Sequence, residues 1–129
     1  MAYRSLKTVS WLERNRVGKV DYIETGSGPT VMFLHGIGGG ALGFKHQLEV
    51  FARAGFRAVA WDMPGYGRSD PLEDMTFPAL ADAMLWLVDQ LSVDTVHAVG
   101  HSIGGMVVQE FACHHQSRLA SMGLAQTSP

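Results

Sequence analysis

One serine stands among three glycines in the stretch AVGHSIGGM, residues 98–106: Gly100, Ser102, Gly104 and Gly105. A serine hydroxyl attacks a carbonyl carbon once a base takes its proton, and the oxyanion that forms needs N–H donors within reach. The surrounding pattern supplies a place for both the hydroxyl and a donor. DTVHAV (94–99) is a short, apolar, β-branched run that reads as a buried strand, and MVVQEFACHH (106–115) has helical length with too much apolar content for an exposed helix. A strand that passes straight into a helix turns within a residue or two, where flanking side chains would collide with the neighbouring backbone. Glycine removes that collision. Ser102 is then predicted at a strained apex, its hydroxyl pushed outward at the N-terminus of the helix, where free N–H groups and partial positive charge gather.

Two further glycine-rich turns follow predicted strands. TVMFLHGIGGG (30–40) runs into His35-Gly36 and a glycine loop, and FRAVAWDMPGYGRSD (56–70) carries the strand RAVAWD into a Pro-Gly-Tyr-Gly turn. Gly100-His101-Ser102-Ile103-Gly104 fits the G-x-S-x-G nucleophile elbow. With a His-Gly loop, a D-x-P-G-x-G-x-S turn and a G-x-S-x-G-G elbow in that order, essentially the whole chain resembles the α/β-hydrolase family. The similarity is greatest to its esterase, lactonase and C–C hydrolase branch.

That resemblance implies roles for individual residues. Ser102 would be the nucleophile, with the backbone N–H of Ile103 and that of Ile37 as the oxyanion donors and Gly38 as the alternative to Ile37. His35 would be a structural hydrogen-bonder rather than the base, and His101 would pack beside the elbow. Gly36, Gly100, Gly104 and Gly105 would make room for backbone. Asp62 would fix its turn, braced by Arg68 and Asp70. The implied substrate is a small-molecule ester or lactone, or a ketone in the C–C branch, with no metal and no organic cofactor. Branches with an aspartate nucleophile, the dehalogenases and epoxide hydrolases, would need a carboxylate where Ser102 stands.

The family's order along the chain is serine, then acid, then histidine. After Ser102 the histidines are His114 and His115, about three turns along the helix that Ser102 opens, and the carboxylate is Glu110 on the same helix. None reaches the hydroxyl. Residues 1–129 are therefore expected to be the N-terminal part of a single α/β-hydrolase domain, with the lid and the acid and histidine loops absent and the chain alone nearly inactive. A non-catalytic ligand- or partner-binding module of the same fold is the alternative. The strand LASMGLAQT (119–127) would become a sheet edge open to self-association. Cys113 and His114 are adjacent, so on a helix they point about 100° apart, and Cys113 is expected in the core.

The remaining sequence describes what would position these residues. With 129 residues, 47% hydrophobic and 17% charged, the chain has the length and apolar content of one domain with a buried core. A net charge of −2 with scattered basic residues gives no expectation of nucleic acid or an anionic membrane as partner. The lone cysteine fits a reducing compartment, no opening segment resembles a signal peptide, and cytoplasmic is the default expectation. Residues 6–29 alternate around a polar turn near Arg14 to Gly18, which predicts an antiparallel hairpin. ALGFKHQLEVFARAG places Phe44, Leu48 and Phe51 at helical spacing. TFPALADAMLWLVDQLS places Phe77, Leu80, Met84, Leu87 and Leu91 on one helical face behind a Thr76 cap. The predicted fold is α/β, a doubly wound and mostly parallel sheet of about six strands with three helices, its site at the strands' carboxyl ends.

Overall fold

A computed structural model describes residues 7–10 and 19–128. The strands are β1 (Lys7–Ser10), β2 (Lys19–Thr25), β3 (Thr30–Leu34), β4 (Arg57–Trp61), β5 (Val96–His101) and β6 (Leu119–Ala125). The helices are α1 (Lys45–Arg53), entered through a 3₁₀ turn over Ala41–Phe44, α2 (Phe77–Gln90) and α3 (Ile103–His114), with a second 3₁₀ turn over Gln116–Arg118. The strands form one sheet in the order β1-β2-β4-β3-β5-β6. β1 with β2 and β2 with β4 are antiparallel, and the other pairs are parallel. The expected mostly parallel sheet with an N-terminal antiparallel hairpin is what forms, although the predicted turn at 14–18 lies outside the described residues.

β3 shows why the sheet is covered on both faces. TVMFL is buried at every position, and the two-residue period of a strand divides it between two cores. Met32 and Leu34 join Val59, Trp61, Leu87 and Phe111 on the side of α2 and α3. Val31 and Phe33 join Ala58, Ala60 and Leu48 on the side of α1. Phe33 meets the rings of Phe44 and Phe51 at 5.2 Å each. Because β4 lies on one side of β3 and β5 on the other, the loops leaving β3 and β5 diverge at their carboxyl ends. A crevice opens there, at the reversal of strand order.

α2 begins where its sequence signals place it. The Thr76 hydroxyl accepts the Ala79 N–H at 3.3 Å, and Pro78 occupies the first turn, where no N–H is needed. Thr76→Ala is expected to lower stability by about 0.5–1 kcal/mol, read from the urea midpoint at unchanged slope.

α3 starts at Ile103, directly after Ser102 as the elbow pattern predicts and three residues before the apolar run 106–115; its first turn holds Gly104 and Gly105, which propensity counts against a helix. It buries Val107, Val108 and Phe111. Cys113, expected in the core, is exposed, since it lies about 200° around the helix from Phe111. β6 has little cover: Leu119 is half-buried and the rest is exposed, including Met122 and Leu124. No described helix is long and apolar enough to cross a membrane.

Candidate active site

Ser102 occupies the turn between β5 and α3 at φ 56° and ψ −123°, a conformation that side chains rarely adopt. The surrounding backbone holds it there. Its N–H donates to the Ala125 carbonyl at 2.9 Å. Its own carbonyl accepts the Thr127 hydroxyl at 2.6 Å and the Gly105 N–H at 2.9 Å. Although Ser102 stands at the capping position of α3, its side chain makes no capping bond, so the hydroxyl is left for another partner.

The glycines explain how the turn fits. A Cβ on Gly104 would fall on the Leu34 carbonyl oxygen and lie 2.6 Å from that of His35, so α3 is pressed against the carboxyl end of β3. A Cβ on Gly100 would lie 2.5 Å from the Cα of Gly105. A Cβ on Gly36 would lie 2.8 Å from the Ser102 Cβ, and one on Gly105 would lie 2.6 Å from the Thr127 Cβ.

The loop after β3 faces this apex. The Gly39 N–H donates to the Gly36 carbonyl at 3.0 Å, which curls residues 36–39 and leaves the amides of Ile37 and Gly38 outside the bond. Among the described residues, the N–H groups of Ile37, Gly38 and Ile103 have no hydrogen-bond acceptor. Ile37, Gly38 and Ser102 line one cleft of about 290 Å³. Ile37 is 76% exposed.

His35 is buried and both its ring nitrogens are engaged. Nε2 accepts the Met63 N–H at 2.9 Å, and Nδ1 donates to the Gly36 carbonyl at 2.9 Å. The two bonds together fix the Nδ1–H tautomer and leave no lone pair for the serine proton. The ring ties the 36–39 loop to the turn after β4 and meets Tyr66 edge-on at 5.2 Å.

Asp62 anchors that turn. Oδ1 accepts the Ala41 N–H at 2.8 Å, and Oδ2 accepts the Arg68 N–H at 3.1 Å. Its N–H donates to the Asp21 carbonyl at 2.8 Å, and its carbonyl accepts the Ser69 hydroxyl at 2.5 Å. Arg68 pairs with Asp21 at 3.2 Å. Asp70 braces the turn only through its carbonyl, which accepts the Gly65 N–H at 3.2 Å. Asp21, 2% exposed, is not marked by any motif, although a charge inside an alternating strand is a signal for it; Ser69 is the serine of the D-x-P-G-x-G-x-S turn.

Other histidines stand apart from the hydroxyl. His101 lines the same cleft as Ser102; it ends β5 on the side opposite Gly100 and is exposed, and its Nε2 bonds Gln126 at 2.8 Å. His114 lies 3.6 Å from Glu110, and His115 lies 3.1 Å from Asp82. The cleft holding Ser102 contains no carboxylate, and its two histidines, His35 and His101, are tied to Met63 and Gln126. Among the described residues no cluster of His, Cys, Asp and Glu is arranged to hold a metal ion.

The family model described as alpha/beta hydrolase fold matches residues 29–129. The chain belongs to this family. It is 34% identical over 128 residues to a 2-hydroxy-6-oxononadienedioate/2-hydroxy-6-oxononatrienedioate hydrolase of Paraburkholderia phymatum, covering 92% of this chain and 43% of that one. It is 29% identical over 112 residues to bifunctional epoxide hydrolase 2 of Rattus norvegicus, covering 84% and 20%. An epoxide hydrolase of Vigna radiata superposes with a TM-score of 0.85 at 28% identity, covering 93% of this chain and 37% of that one. This alpha/beta hydrolase fold chain thus spans less than half the length of the curated relatives it matches.

Proposed function

We propose that this protein is a serine-dependent hydrolase of ester or lactone carbonyls. The observation that carries the proposal is Ser102, a strained turn residue whose hydroxyl caps nothing, beside a loop with uncommitted amides. In the proposed reaction Oγ attacks the carbonyl carbon and loses its proton to a base. The Ile103 amide and that of Ile37, or of Gly38, hold the oxyanion, the alcohol departs, and water releases the acyl group. No cofactor takes part. The acid and the basic histidine come from a segment beyond residue 129, so that the 129 residues act as the nucleophile and oxyanion part of one domain.

Its relatives include epoxide hydrolases, but a serine ether formed by opening an epoxide would lack the carbonyl that lets water release an ester intermediate. Serine at 102 therefore favours carbonyl substrates. The same serine can attack a ketone, and the C–C hydrolase relative at 34% identity makes that the second reading.

The test is hydrolysis of 4-nitrophenyl butyrate by the purified 129-residue chain and its Ser102→Ala variant. The expected result is a small serine-dependent rate, at most about 10³-fold above water, rising by about another 10³-fold when an acid and histidine segment is restored. Turnover unaffected by Ser102→Ala, or epoxide opening without ester cleavage, would overturn the proposal. So would binding of esters with no turnover even in the completed domain, the behaviour of a non-catalytic module.

A further inference from the structure

A second cleft, of about 530 Å³, opens on the far side of the elbow, between the turn after β4 and the start of α2. Its walls include Met63, Tyr66, Met75, Phe77, Leu80 and Ile103. Ile103 belongs to both sides of the apex, since its amide follows Ser102 and its side chain lines this cleft. We infer that the second cleft seats the acyl arm of the substrate, and that this arm is apolar and uncharged. The inference rests on the proposed serine hydrolase and names the substrate class of the same site.

Three observations support it. The volume lies in the range of small-molecule pockets and exceeds that of the cleft containing Ser102, which is too small for a long arm and its leaving group together. Among the described residues none of its lining is charged, and the Thr76 hydroxyl on its rim already accepts the Ala79 N–H. Arg68, the guanidinium nearest in sequence to this wall, pairs with Asp21. A carboxylate entering here would lose its water and meet no cation among the described lining residues. Met63 and Met75 supply flexible thioethers that adapt to an alkyl chain, and Met75, 46% exposed, is covered once the chain binds.

Methyl NMR of the Ser102→Ala protein tests this without turnover, using two esters of equal length, methyl hexanoate and monomethyl adipate. Methyl hexanoate is expected to shift the Met63, Met75 and Ile103 methyl signals and to half-saturate at a concentration about tenfold or more below that of monomethyl adipate. Met75→Glu, a change at an exposed position, is expected to weaken hexanoate binding by about tenfold; the two-ester comparison stands on its own if that variant fails to fold. Equal or tighter binding of the adipate ester would overturn the inference. So would hexanoate shifts confined to Ile37, or methyl shifts that follow protein concentration rather than ligand, which would assign the cleft to a second copy. If the cleft methyls respond as expected but Ser102→Ala leaves hydrolysis unchanged, the serine mechanism fails and the binding assignment survives.

Discussion

Gly104→Val is expected to yield no cooperatively folded protein, or to lower stability by more than about 3 kcal/mol, when followed by circular dichroism through a thermal melt. The added Cβ would land on the Leu34 carbonyl oxygen and 2.6 Å from the Leu34 carbonyl carbon, both backbone atoms of a strand buried at every position. Neither can retreat without parting β3 from its neighbours. Gly100→Val meets the Cα of Gly105 at 2.5 Å and is expected to behave alike. Ser102 provides the contrast. At φ 56° an alanine is strained as a serine is, so Ser102→Ala should melt close to the parent, whereas Ser102→Gly should melt higher, by the equivalent of about 1 kcal/mol. A Gly104→Val protein that melts with the parent would refute the close approach of α3 to β3.

Asp62→Ala is the second large effect expected, a loss of about 3 kcal/mol in chemical denaturation. The carboxylate accepts two backbone N–H groups, from Ala41 and Arg68, and the Ala41 bond is buried. Alanine leaves both donors without a partner. Asp62→Asn keeps one acceptor oxygen and turns an amide toward the other donor, so it should fall between the two. Because the Ala41 bond ends the glycine loop that contains Ile37, the alanine variant should also lose serine-dependent hydrolysis more steeply than its stability loss explains. Equal melting of all three proteins would show that the turn holds without this carboxylate.

The features legible in the sequence were those encoded locally. Thr76 and Pro78 marked the start of α2, the apolar run in TVMFL marked a strand, and each glycine motif marked the end of a strand. What escaped depends on partners distant in the chain. Asp21 and Ser69 meet across 48 positions, and Thr127 reaches back to the Ser102 carbonyl. No spacing rule connects such pairs. The start of α3 at Ile103 was legible through the elbow pattern alone, because the close approach of two backbones selects glycines that propensity counts against a helix. Cys113 was misplaced for a related reason. Its apolar neighbourhood suggested burial, but helical phase turned it outward.

The bonds that pin Ser102 come from an unusual quarter. Its N–H is held by Ala125, the last residue of β6, and its carbonyl by Thr127 just beyond, while β6 itself is an edge strand with little apolar cover. The geometry of Ser102 therefore draws on a part of the sheet with few apolar contacts to resist opening. Fraying of β6 and relaxation of the Ser102 dihedrals are one event: each time the strand end detaches, the serine loses two of the contacts that hold it at positive φ. Whatever covers β6 also sets the fraction of time that the hydroxyl is presented, so amide exchange at Ser102 should report on that strand as faithfully as exchange within it.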